Sequence, residues 1–195
     1  MAHYYDVEQD TPLIPHKILV AARGQQVELW SGNGVFSKDD LDSGSKLLID
    51  TAIIKPGSKI HDLGCGIGVV GIIAKMAERS CKVTCSDVSN RAIELTKMNV
   101  ELYKLDLQVV QSDGYSAIPD KFDAILFNPP YVAGRQTIYR LIDEACEHLA
   151  DGGMIQLVAR HNKGGETLKK YLLTKFDTCD DTRRGNGYRV YICVK

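Results

Sequence analysis

The stretch that most constrains this 195-residue chain is a strand candidate at 58–63 that runs through Asp62-Leu63 into Gly64-Cys65-Gly66-Ile67-Gly68 and then into a helical pattern at 69–78. Alternate glycines let backbone approach a ligand without a Cβ clash, and the helix that follows presents its unpaired N–H groups to the same point. Gly66, Gly68 and Gly71 also spell G-x-G-x-x-G, so the loop alone fits a dinucleotide as well as any other nucleoside. The rhythm continues downstream. Strand candidates at 81–87, 107–111, 122–127, 154–159, 176–182 and 188–194 are interleaved with helix candidates at 90–104, 135–150 and 166–174. In the helix candidate at 135–150, Ile138, Leu141, Ile142, Ala145 and Leu149 fall on one face.

Such alternation predicts an α/β fold with an open, mostly parallel sheet and helices on both faces. The end of the chain departs from it. Arg183-Arg184-Gly185-Asn186-Gly187 is too short for a parallel crossover, so the strands on either side must be antiparallel neighbours. Ahead of residue 58 lie a strand candidate at 26–30, a glycine-containing turn and a helix candidate at 45–51. At roughly 100–200 residues per domain, residues 1–195 are expected to form a single domain, with 1–57 an amino-terminal extension on a core of 58–195.

The 24 Lys/Arg against 25 Asp/Glu give a net charge of −1, which excludes a polycation that coats nucleic acid through its average field. The charge is unevenly spread: residues 160–195 carry nine Lys/Arg and four acids, a local +5 against −6 for the rest. A basic rim is one reading, with Arg135 and Arg140 meeting phosphates. The other is that Lys169, Lys170 and Lys175 form the solvated face of an amphipathic helix. The first ten residues lack a signal-peptide pattern and no apolar run approaches the roughly 18 residues of a membrane span, so a cytoplasmic protein with no membrane association is expected. The six cysteines contain no C-x-x-C pair and read as buried reduced thiols, and no metal site is expected. His61, His148 and His161 read as structural. The sequence leaves open whether the chain forms a homodimer.

Acidic residues close three successive strands. Asp87 lies 21 residues after Gly66, where a carboxylate can accept ribose hydroxyls. Asp62, just before the first glycine, discriminates between ligands: beside a pyrophosphate it would repel, beside an amino-acid ammonium it attracts. Ribose at one end and a cationic amino acid at the other describe S-adenosylmethionine (SAM). Asp113 can accept from an adenine amine, or serve as a turn or helix cap. The fourth strand ends in Asn128-Pro129-Pro130-Tyr131. The prolines fix φ and end the ladder, leaving the Asn side chain and the Pro129 carbonyl as two rigid acceptors for a planar amine, while Tyr131 offers a stacking face.

Asp62-Leu63-Gly64-Cys65-Gly66-Ile67-Gly68, Asp87, Asp113 and Asn128-Pro129-Pro130-Tyr131, in this order, resemble the class I SAM-dependent methyltransferases. The resemblance is closer still to the methyltransferase small domain group, which includes bacterial ribosomal RNA guanine-N2 methyltransferases. Gly34-Val35-Phe36-Ser37 and Leu41-Asp42-Ser43-Gly44-Ser45-Lys46-Leu47-Leu48 resemble that group's lead-in to the cofactor site, Ala133-Gly134-Arg135 its segment before the long helix, and Gly187-Tyr188-Arg189-Val190 its last strand. The resemblance implies a Rossmann-like seven-stranded sheet whose last strand is antiparallel. It implies SAM bound by Phe36, Asp62, Gly64, Cys65, Gly66, Asp87, Val88, Asp113 and Gly114, and transfer at Asn128, Pro129, Pro130 and Tyr131. The implied substrate is guanine N2 in ribosomal or other structured RNA. In the group the tetrapeptide usually ends in Phe, and its ribosomal enzymes carry a second, duplicated domain for which 195 residues leave no room. A glutamine amide of a protein release factor presents the same planar NH2 and is the alternative substrate. An NAD-dependent oxidoreductase would rest on the glycine loop alone, and a noncatalytic SAM-binding scaffold would leave Asn128 without a role.

Overall fold

A computed structural model describes residues 11–195; the signal-peptide reading concerned residues 1–10, which lie outside the described residues. The described chain opens with an antiparallel hairpin, β1 (Pro15–Ala22) and β2 (Gln25–Gly32), followed by α1 (Ser43–Thr51). The alternating part comprises β3 (Lys59–Leu63), α2 (Val69–Ala77), β4 (Lys82–Asp87), α3 (Asn90–Leu102), β5 (Gln108–Gln111), β6 (Phe122–Phe127), α4 (Arg135–Glu147), β7 (Leu149–Arg160), α5 (Glu166–Leu172), β8 (Thr178–Gly185) and β9 (Tyr188–Val194). The seven strands from β3 onward form one sheet, ordered β5-β4-β3-β6-β7-β9-β8. All neighbours pair in parallel except β9, which runs antiparallel to both β7 and β8. The order reverses between β3 and β6, which puts the carboxyl ends of these two strands at the switch point where open α/β sheets hold ligands.

The pleat separates two cores. On β6, Ala124 and Leu126 join Leu48, Ile49, Ile72 and Leu95 on the side of α1, α2, α3 and the hairpin, while Ile125 and Phe127 join Ile138, Ile142 and Leu172 under α4 and α5. Helix α2 (VVGIIAKMA) is apolar nearly all round because it lies buried against the sheet. It comes closest at Gly71, whose N–H donates to Asp62 Oδ2 at 2.8 Å; a Cβ there would stand 2.3 Å from Cys85 Sγ.

Two fully buried polar side chains help fasten the amino-terminal segment. Asn99 on α3, fully buried, accepts from the Trp30 N–H (2.6 Å) and donates to the carbonyls of Trp30 (2.9 Å) and Ile67 (3.0 Å). Gln156 on β7, also fully buried, accepts from the Ile53 N–H (2.7 Å) and donates to the Ile53 carbonyl (2.8 Å), stapling the chain just past α1 to the sheet.

The structure differs from the sequence-based expectation in several places. Strand β1 was not anticipated: in PHKILVAA the apolar but exposed Leu19 blurs the alternation of buried Ile18, Val20 and Ala22. Strand β7 starts at Leu149 rather than 154 and helix α4 ends at Glu147 rather than 150, because Leu149, read as part of the helical face, instead pairs with Phe122 ahead of a register shift. Cys179 and Cys193, expected to be reduced thiols, stand opposite each other on β8 and β9 with Cα atoms 4.0 Å apart and form a disulfide; Cys65, Cys81, Cys85 and Cys146 are free. Strand register decides that pairing, and spacing along the chain does not report it.

Replacing Asn99 by Ala strands the Trp30 N–H and two carbonyls in a buried site, so Asn99→Ala is expected to cost about 2–3 kcal/mol of stability. A urea melt followed by circular dichroism measures it.

Candidate active site

A cavity of about 380 Å³ opens at the switch point, within the range of a nucleoside-sized ligand. Phe36, Asp62, Gly64, Cys65, Gly66, Asp87, Val88, Asp113, Gly114, Asn128, Pro129 and Pro130 all line it, so residues from well-separated parts of the chain surround one space. On its floor the β3–α2 turn is pinned by Asp87: Oδ2 accepts from the Gly66 N–H (2.9 Å) and Oδ1 from the Ser89 N–H (2.9 Å). Gly66 makes this possible by adopting φ +57°. Each oxygen of Asp87 keeps a lone pair for a ligand hydroxyl. Asp62 is more deeply set, 4% exposed, and accepts from the Gly71 N–H at 2.8 Å. Burial pushes its carboxyl up to about 7, opposed by that N–H and reinforced by the charge of Asp87. A carboxylate so buried is stabilised by a countercharge, and a ligand cation in the cavity would supply one. Burial also pushes Asp87 up.

Beside Asp62, His61 is fully buried between Tyr115 Oη (3.2 Å) and Ser86 Oγ (2.8 Å), and burial with the nearby His148 pushes it down to about 3. It is a neutral structural residue, as its sequence context suggested.

On the other wall, β6 ends at Phe127 and the Asn-Pro-Pro turn projects Asn128 toward α1. Asp42, the N-cap of α1, accepts from the N–H groups of Gly44 (2.9 Å) and Ser45 (3.1 Å). The Asn128 Nδ2 donates to Ser45 Oγ at 2.9 Å and lies 3.4 and 3.5 Å from the two Asp42 oxygens. Asp42 and Ser45 lie in the segment that resembles a lead-in to the cofactor site, but the sequence does not single them out as site residues; Asp42 carries the signal of a helix N-cap, which marks a helix start and not a partner 86 positions away.

Two residues expected at the site behave differently. Tyr131, 40% exposed, lines a smaller neighbouring cavity of about 160 Å³ with Arg135, Tyr139 and Lys163. Arg140, read as a phosphate contact, instead bonds Asp113 Oδ1 (2.6 Å) and Glu144 Oε1 (2.7 Å). Asp113 thus meets the cavity as an ion-paired, exposed carboxylate. In the basic carboxyl-terminal region, Lys169 and Arg189 both meet Asp181, and Lys175 meets Asp143 at 2.9 Å.

A sheet with one reversed strand, Asp62 and Asp87 flanking a glycine turn, and an Asn-Pro-Pro turn across the same cavity define a Rossmann-like methyltransferase architecture. The methyltransferase small domain family matches residues 26–192, and the chain belongs to it. Ribosomal RNA small subunit methyltransferase C of Pseudomonas aeruginosa is 32% identical over 189 residues, covering 94% of this chain and 56% of that protein. The Haemophilus influenzae protein of the same name is 38% identical over 139 residues, covering 69% of this chain and 42% of that one. The chain thus spans about half the length of the curated relatives it matches. Among solved structures, the T. thermophilus 16S rRNA N2 G1207 methyltransferase, in complex with AdoMet and guanosine, superposes with a TM-score of 0.82 at 22% identity, over 94% of this chain and 51% of that one. A Pyrococcus furiosus methyltransferase gives 0.65, also at 22%, over 75% and 78%. Among the described residues no helix is long and apolar enough to cross a membrane, and no cluster of His, Cys, Asp or Glu could hold a metal.

Because the folded value of Asp62, about 7, exceeds its unfolded 3.8, its contribution to stability is full below pH 3.8 and is lost as pH rises through about 7. His61 acts oppositely: its folded value of about 3 lies below 6.5, so its contribution is full above 6.5 and is lost as pH falls. Comparison with Asp62→Asn cancels the His61 part. Calorimetry of the cofactor-free protein is expected to show the variant gaining on the wild type from about pH 4 to about pH 8 and melting higher at the upper end; a difference independent of pH would contradict it.

Proposed function

We propose that this chain is a SAM-dependent N-methyltransferase acting in the cytoplasm on the exocyclic N2 of a guanine in ribosomal RNA. The observation that carries this reading is the placement of an amide acceptor, Asn128, across one cavity from Asp62 and Asp87. The relatives named as ribosomal RNA small subunit methyltransferases support the substrate. The whole of 1–195 is proposed as one catalytic unit, in which the extension 1–57 delivers Phe36, Asp42 and Ser45 to a core of 58–195.

The residues present fit the cofactor. Asp62 supplies a buried carboxylate for the ammonium, Asp87 the acceptors for ribose hydroxyls, Gly64, Cys65 and Gly66 a close backbone wall, and Phe36, Val88, Asp113 and Gly114 the remaining contacts. When bound, SAM supplies an electrophilic sulfonium methyl. The chain's own task is placement. Asn128 Oδ1 and the Pro129 carbonyl accept the two N–H groups of the amine, which turns its lone pair out of the base plane. Pro129 and Pro130 keep those acceptors rigid, so that orientation supplies most of the rate and no strong base is required. Tyr131, half-exposed beside the turn, is proposed to stack on the flipped base.

Tritiated methyl transfer to RNA fractions, followed by nucleoside mass spectrometry, tests the reading; label in release factor and in no RNA would overturn it. Asn128→Ala is expected to lower turnover about 10²–10³-fold with SAM affinity by titration calorimetry nearly unchanged. Asp87→Ala is expected to do the reverse and chiefly weaken SAM.

A further inference from the structure

An asparagine amide has an acceptor end and a donor end, and a half-turn about its last torsion exchanges them. Which end faces the cavity decides whether the site receives an amine or a carbonyl. Asp42 settles it. A carboxylate only accepts, so of the two ends of Asn128 only the NH2 can face Asp42 at 3.4 and 3.5 Å. Ser45 Oγ, at 2.9 Å, takes the same nitrogen more directly. Asp42 is itself immobilised, since its Oδ1 also accepts the Gly44 and Ser45 N–H groups at the start of α1. With Nδ2 committed, Oδ1 is the end left for a ligand.

We infer that Asp42 and Ser45 are positioning residues that fix the polarity of Asn128 and thereby make the site selective for a group that donates, such as an exocyclic amine. The inference rests on the proposed N-methyl transfer. Its specific content is that the negative, accept-only character of residue 42 matters beyond its role as a helix cap.

Asp42→Asn separates the two roles. Asn caps helices as well as Asp does, so α1 keeps its start, yet an Asn at 42 can donate to Asn128 Oδ1 and let the amide reverse. The expected result is a fall in kcat of about 10²-fold on small-subunit ribosomal RNA, comparable to losing one preorganised polar group in an active site. KM for RNA, SAM binding by calorimetry and the melting temperature should stay close to wild type. Ser45→Ala is expected to lower kcat by about 3- to 10-fold, the worth of one ordinary hydrogen bond. In an Asn128→Ala background, Asp42→Asn should lower kcat no further, since both act through one amide.

A kcat for Asp42→Asn equal to wild type, a loss that adds fully to that of Asn128→Ala, or a loss matched by weaker SAM binding and a lower melting temperature would each overturn the inference. A second readout does not depend on turnover. The Asn128 side-chain amide, assigned in a nitrogen-15 correlation spectrum by its absence from Asn128→Ala, should show slowly exchanging protons in the wild type and fast-exchanging, shifted ones in Asp42→Asn. Unchanged amide protons would refute the clamp even if the wild type transferred methyl to no RNA, whereas that last result with changed protons would overturn only the assigned reaction.

Discussion

Helix α2 packs on the sheet as it does because position 71 has no side chain: a Cβ there would stand 2.3 Å from Cys85 Sγ. That approach delivers the Gly71 N–H to the buried carboxylate of Asp62, and it leaves Cys85 Sγ in the space a Cβ would need. The position of α2 in turn sets the end of the β3–α2 turn, so that the Gly66 N–H points at Asp87. Thr96 on α3 closes the turn from above by donating to the Gly66 carbonyl at 2.8 Å. Three bonds, at Gly71, Gly66 and Thr96, thus hold the two acids and the backbone wall between them.

Both acids are held at an energetic disadvantage, since burial opposes their charge and local N–H groups only partly offset it. The disadvantage is localised where a cationic ligand would remove it. Across the cavity the Asn128 turn is managed differently: it is neutral, its donor end is satisfied from α1, and its rigidity comes from two prolines. In the proposed reaction the two walls divide the work, one offering charge to a cofactor and the other an oriented dipole to a substrate.

Local chemistry made the core of this arrangement readable from sequence. Asp62 through Gly68 and Asn128 through Tyr131 are contiguous strings whose conformation is dictated by glycine and proline, and the strands around them are short and β-branched. Features that depend on distant pairing were not readable. Asp113 and Arg140 are 27 positions apart, and nothing local to either signals their ion pair. Cys179 and Cys193 bond because of a register fixed by β9 lying between β7 and β8. Asp42 carries the signature of a helix cap, which it is, while its second partner lies across the molecule.

Helix α1 has nine residues, fewer than the roughly 12–15 an isolated helix needs to be even marginally stable in water. Among the bonds that fasten it, two reach across sequence separations of 86 and 103: from its cap Asp42 to Asn128 on the β6 turn, and from Ile53, just past its end, to Gln156 on β7. Closing a span of 86 or 103 residues costs more chain entropy than closing the 21 between Gly66 and Asp87. The glycine turn is thus specified within the local β3–α2–β4 unit, whereas the orientation of Asn128 depends on α1 being docked. The two walls of the cavity are secured at different scales, one locally and the other by the integrity of the whole sheet.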